Sequence, residues 1–141
     1  LEAIQKAVTD GEERHRGEVC FAVEGALPWQ LLLSRCSPRD RAMVIFSQLK
    51  VWDTRENTGV LVYGLLAERA IEWVADRGTA EHIPNSVWNE VCARMRARFI
   101  DREFEAGAIA AVGEISALLA THYPADSSNN PNELPNRPIL L

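Results

Sequence analysis

The stretch GVLVYGLLAERAIEWVADRG, residues 59–78, decides how this chain folds. Apolar runs of strand length occupy 60–67 and 70–75, and only Glu68-Arg69 separates them, so the spacing predicts a β-hairpin. Glu-Arg is not a favoured pair for a two-residue turn, which leaves the turn type open. Gly78 stands where the return strand runs out, as a place to relieve backbone strain. Upstream, the polar run Asp53-Thr54-Arg55-Glu56-Asn57-Thr58 leads through Gly59 into the first strand. Such a run is either a site for a metal or phosphate, or a turn that delivers the chain into the sheet.

Working outward, EVCFAVE (18–24) places Val19, Phe21 and Val23 on one face and Cys20 and Ala22 on the other. Apolar residues on both faces predict a strand buried on both sides, with helices above and below it. Between the strands, SPRD (37–40) is a helix start, with Ser37 as cap, Pro38 in the first turn and Asp40 reaching back to the cap. That helix runs through Met43, Phe46 and Leu49 to about Val51. Residues 1–14, with Ile4, Ala7 and Val8, read as a short amphipathic helix broken at Gly11.

Beyond the hairpin the period becomes helical. Pro84 lies near a start, and Trp88, Cys92, Met95 and Phe99 follow as one stripe, with Arg94, Arg96 and Arg98 on solvated faces. Residues 104–122 form a second helix, apolar nearly all round through Ile109, Val112, Ile115, Leu118 and Leu119. Gly107 and Gly113 weaken it intrinsically and would let neighbours approach. After Tyr123 the composition shifts to a Pro/Asn-rich tail, 124–141, in which no packed element is expected. Its apolar end, Pro138-Ile139-Leu140-Leu141, is available to dock on the domain or on a partner.

The expected order is helix, strand, helix, strand, strand, helix, helix over a single domain, 1–123. This is an α/β fold, read as a three-layer α/β/α sandwich around a small mixed sheet. Strand–helix–strand connections are right-handed and usually join parallel strands. If 18–24 and 60–67 are parallel, both begin at one edge of the sheet, and the return strand 70–75 ends there. Topology alone therefore gathers Glu18, Asp53, Asn57 and Asp76.

Composition bounds the possible functions. Of 141 residues, 47% are hydrophobic and 25% charged, which is ordinary for a globular protein. A net charge of −5 without a basic stripe argues against nucleic acid. Cys20, Cys36 and Cys92 have no CxxC spacing and are expected to be reduced, which fits the cytoplasm. No apolar run of membrane-spanning length and no signal peptide is read in the chain. Membrane association would come from a segment upstream of Leu1.

The chemical motifs are sparse. From Asp53 an EF-hand fails, because Arg55 takes the third position, glycine arrives at the seventh and Gly64 takes the twelfth. Walker A, GxGxxG, GxSxG and HExxH patterns are absent, so no nucleotide or organic cofactor is expected. His15, His82 and His122 are scattered, although His82 lies close enough to Asp76 for an acid/base role. Calcium or magnesium, which take oxygen ligands from separate loops, would suit Asp53, Asn57 and Asp76, with Glu18 a weaker candidate. Arg77 is a candidate for an anion.

In order, residues 57–78, the helix VWNEVCARMRARF and FEAGAIAAVGEISALL (104–119) resemble the TPM domain family. The resemblance extends over about 1–123, and NPNELPNRPILL is similar to the tail of a short proteobacterial branch. The family includes small bacterial proteins and a thylakoid-lumen protein of photosystem II repair. The resemblance implies an α/β/α sandwich and divalent-cation binding, often calcium, at the sheet edge. Onto this chain it carries Asn57, Gly59, Asp76 and Gly78, with Asp53 just upstream. It departs from the family pattern at Thr58, where a second asparagine is usual, and in the helix signal reduced to Phe99, Phe104-Glu105 and Gly107. What it implies for function is an interaction module in the maintenance of membrane-associated proteins; partner recognition by residues 124–141 is a separate expectation drawn from the tail's apolar end. The alternative is a metal-dependent acid phosphatase, the activity attributed to the plant member.

Overall fold

The computed structural model describes residues 2–125 and 134–141. The elements follow one another as α1 (Glu2–Glu12), β1 (Glu18–Glu24), α2 (Trp29–Leu33), α3 (Pro38–Gln48), β2 (Gly59–Leu65), β3 (Ala70–Ala75), α4 (Arg77–Ala80), α5 (Asn85–Ile100), α6 (Phe104–His122) and β4 (Ile139–Leu140). The expected order is present, with two short helices and a fourth strand added.

The sheet runs β3-β2-β1-β4. β1 and β2 are parallel, with Glu18 opposite Gly59 and Glu24 opposite Leu65. β2 and β3 are antiparallel, with Val60 opposite Ala75. Every residue of β1 and β2 is buried, as expected of strands covered on both faces.

Period-two alternation splits the core in two. Val19, Phe21, Val60, Val62 and Trp73 face α1, α5 and α6, where Trp88, Met95, Val112, Ile115 and Leu119 pack. Cys20, Ala22, Leu61, Tyr63 and Val74 face α3, meeting Ala42 and Ile45. This is the three-layer α/β/α sandwich, built on an α/β fold with a mixed sheet. α6 is long and apolar enough to cross a membrane by length and composition. Here it is the helix against which α1 and α5 pack, with Ala108, Ala111, Val112 and Ile115 buried.

The start of α3 forms as its sequence dictates. Ser37 Oγ accepts from the Asp40 N–H at 3.1 Å, and the Asp40 carboxylate accepts from the Ser37 N–H at 3.5 Å. Gly11 does not break α1. It sits inside the helix, where a Cβ would lie 2.1 Å from Ser116 Oγ, so it permits α1 to cross α6 closely. Gly107 similarly admits α5, whereas Gly113 meets nothing within 4 Å.

The expectation that the tail forms no packed element is corrected for its described part, whose apolar end docks on the domain. Ile139 pairs with Ala22 and Leu140 with Val23, parallel to β1, and the Leu141 N–H donates to the Val23 carbonyl at 2.8 Å. Leu134 is buried in the α3-side core, and Asn136 donates to Thr9 Oγ1 at 3.0 Å. β1 would otherwise present an apolar strand with a row of unpaired backbone groups, and β4 covers its Ala22–Val23 stretch. Residues 126–133 lie outside the described part.

Candidate functional site at the strand-entry edge

The polar run that feeds β2 is organised by its threonines. Thr54 Oγ1 accepts from the Thr58 N–H at 2.9 Å, and the Asn57 N–H donates to the Thr54 carbonyl at 3.3 Å. Asn57 adopts φ 55°, a left-handed conformation that asparagine tolerates better than most residues. Thr58 is buried, and its hydroxyl donates to the Arg16 carbonyl at 3.5 Å. Thr58 therefore staples the turn to the α1–β1 connection.

Two glycines let three backbones converge at this edge. At Gly59 a Cβ would stand 1.9 Å from the Val51 carbonyl oxygen, and at Gly78 one would stand 2.5 Å from that of Asn57 and 2.6 Å from that of Glu56. Neither glycine has a positive φ, so close approach, not relief of strain at the strand end, is what requires Gly78. The Asp76 N–H donates to Gly59 O, the Gly78 N–H to Asn57 O, each at 2.8 Å, and the Glu18 N–H to Thr58 O at 3.3 Å. Of the four residues that topology gathers, the segments of Glu18, Asn57 and Asp76 are joined here by backbone bonds, while the Asp53 N–H goes to Lys50 O.

Their side chains divide. Asp76 Oδ1 accepts from the Arg77 N–H at 2.8 Å and caps α4, while Oδ2 is buried and has no hydrogen-bond partner among the described residues. Asp53 is exposed in the turn after α3, with its N–H on Lys50 O at 2.9 Å, and no hydrogen bond joins it to Asp76 among the described residues. Arg77 is exposed, and its contribution to Asp76 is its backbone N–H.

Glu18 is engaged at the α1–β1 junction. It is buried and hydrogen-bonds the carboxyl of Glu12, whose Oε1 also accepts from the Val19 N–H at 3.1 Å. Burial, and then the neighbouring Glu18 charge, push Glu12 up to about 9. The pair serves the α1–β1 junction.

Besides His82, which the sequence already places close to Asp76, the edge holds Tyr123, His122 and Arg16, which no motif connects with it. The C-terminus of α6 brings Tyr123 beside Gly78, whose carbonyl accepts from the Tyr123 hydroxyl. His82 stacks on His122 with ring centroids 6.0 Å apart and meets Tyr123 edge-on at 5.7 Å. Arg16 lies over the Tyr123 ring, 6.0 Å from its centroid, and pairs with Glu56 at 2.7 Å. Burial raises the Tyr123 pKa first, with the Glu81 and Glu56 charges adding to it. No spacing rule links 82 with 122–123; only the packing of α6 across the sheet does so. His15 is fully buried nearby in sequence, and burial lowers its pKa to about 4, which keeps it neutral.

Among the described residues no three His, Cys, Asp or Glu side chains cluster as metal ligands. Any cation here would draw its remaining ligands from amide and carbonyl oxygens, which hard divalent ions accept. Asp76 Oδ2 and the converging carbonyls of Glu56 and Asn57 fit that class of ion. Cys20 and Cys92 are free and buried, and burial lifts both thiols to about 12, so they stay protonated and unreactive.

A family profile of the TPM domain matches residues 2–118. No curated protein matches the chain. Among solved structures, the BA42 protein of the psychrophilic bacterium Bizionia argentinensis superposes with TM-score 0.86 at 24% identity, over 99% of this chain and 90% of that one. The N-terminal domain of a P. gingivalis protein gives TM-score 0.69 at 15% identity, over 90% and 79%. At these identities the likeness is one of fold.

Proposed function

The chain belongs to the TPM domain family, and on that premise we propose that it is a divalent-cation-binding interaction module whose ion sits at the strand-entry edge. The observation that carries the reading is Asp76 Oδ2, a buried carboxylate oxygen without a partner among the described residues. Leaving such a group unsatisfied is costly, and a bound cation is one way to satisfy it. Asp76 would hold the ion together with Asn57 and Asp53, and Thr58 contributes structure, not a ligand. The interaction half of the proposal is supported by α2, where Trp29 is 66% and Leu33 74% exposed, more apolar surface than a five-residue helix needs for itself. A membrane-associated protein is the partner class this reading favours.

Titration with calcium and with magnesium, followed by ¹⁵N chemical shifts and melting temperature, tests the site. At a hundred times the dissociation constant the ion should stabilise the fold by roughly 2.7 kcal/mol. Shifts should centre on Asn57 and Asp76, and Asp76→Asn should abolish them. If neither ion moves these resonances at millimolar concentration, the reading fails.

A second reading, phosphate-ester hydrolysis at the same edge, is favoured by His82 and His122 standing beside Tyr123. It is the weaker one, because Arg16, the cation on the Tyr123 ring, is already paired with Glu56.

A further inference from the structure

The opposite end of the sheet carries a second candidate site. There the β2–β3 turn and the α5–α6 turn flank an open surface cavity of about 390 Å³ lined by Leu66, Arg69, Phe99, Arg102 and Phe104. Phe99 and Phe104 meet edge to face with centroids 5.0 Å apart and supply an apolar wall. Gly64 on β2 lies behind that wall, where a Cβ would be in ordinary contact with the Phe104 ring at 3.4 Å. Leu66 is 41% exposed at the rim.

The two arginines are the unusual part. Arg69 has φ 49° and Arg102 φ 64°, left-handed positions that glycine or asparagine normally fills. Each turn thus places its arginine where an L side chain is disfavoured, and both line one cavity. The turns are held by backbone bonds from Arg69 N–H to Leu66 O at 3.2 Å and from Arg102 N–H to Phe99 O at 3.0 Å, with Arg96 Nε on Arg69 O at 3.1 Å. Neither the Arg69 nor the Arg102 guanidinium is in an ion pair among the described residues. By contrast, Arg16, Arg41 and Arg94 each have a carboxylate. The acidic residues of the same turns, Glu68, Asp101 and Glu103, do not line the cavity. In a chain of net charge −5, this is local positive charge beside an aromatic wall.

We propose that this cavity binds a small amphipathic anion, in which a ring-sized or short acyl group lies against Phe99 and Phe104 while a carboxylate or phosphate is held by Arg69 and Arg102. Guanidinium groups bind both anions through paired, charge-assisted hydrogen bonds. The volume suits a ligand of that size. The site lies one strand length, about 20 Å, from the strand-entry edge and does not depend on a cation there.

The test is an ¹H–¹⁵N titration of the full chain with 4-phenylbutyrate and with phenyl phosphate. Saturable shifts at Leu66, Arg69, Phe99, Arg102 and Phe104 are expected with at least one probe. The uncharged 4-phenyl-1-butanol should bind at least tenfold more weakly, and Arg69→Gln/Arg102→Gln should weaken the anion by a similar factor at unchanged melting temperature. No saturable shift at these residues with either anion overturns the proposal. Equal binding of the alcohol also overturns it, and that comparison needs only the parent protein should the double variant fold poorly.

Discussion

Gly78 shows how one residue can hold the strand-entry edge together. Its missing Cβ is the space into which the carbonyls of Glu56 and Asn57 project, and both are backbone atoms with little freedom to yield. Gly78→Ala should therefore cost roughly 1–3 kcal/mol, the range for overpacking a filled site, although alanine normally stabilises a helix such as α4. Urea unfolding measures it, and a neutral or stabilising result would show that the contact relaxes freely. Thr58 teaches the complementary lesson. Taken as sequence, it is a missing ligand; in the fold it is a buried staple whose N–H and hydroxyl are both used.

Among the elements, α1 and β1 are joined by the Glu12–Glu18 pair, and this junction carries a pH dependence. In the fold, burial and the Glu18 charge hold Glu12 near 9, against 4.5 for an ordinary glutamate. The folded state therefore keeps a proton that the unfolded chain releases between these values. The contribution is fully present below pH 4.5 and is lost as pH rises through about 9. The groups facing Glu12 are Glu18, the Val19 N–H, the Cys20 thiol and Asn136. Glu12→Gln keeps an acceptor for the Val19 N–H and removes the charge. Its melting temperature should exceed the parent's at pH 8.5 and fall less steeply from pH 6 upward; an unchanged slope would sink this account.

The elements also show why some of the fold was legible and some was not. β1 and β2 announce themselves because apolar residues on both faces leave few alternatives, and α3 because Ser37, Pro38 and Asp40 form a local signal. β4 is invisible in sequence: two residues among prolines and asparagines have no periodicity, and their strand character is imposed by the open edge of β1. The backbone convergence at the strand-entry edge followed from topology, whereas His122 and Tyr123 reached that edge through packing between distant segments. Side-chain direction was equally hidden, as Glu18 shows by turning to Glu12.

For the whole molecule, the described end of the tail is part of the domain. Removing residues 134–141 takes away β4, the buried Leu134 and the Asn136–Thr9 bond together. The truncated chain should melt at a lower temperature and self-associate through the bared β1 edge, measured by calorimetry and light scattering. An unchanged melting temperature would make the tail dispensable to the fold, free to serve as the partner hook that its sequence first suggested.

The pairing of β4 with β1 also fixes an order of events in time. β1 leaves the ribosome well before the strand that covers its edge, which comes from residues 139–140. Throughout the synthesis of everything between, the Ala22–Val23 edge has no permanent neighbour on that side. Closing so long a loop carries an entropic cost that grows only slowly with length, so delay is the larger problem. The nascent chain is consequently most open to strand exchange with other nascent copies, or to capture by a chaperone, until β4 arrives.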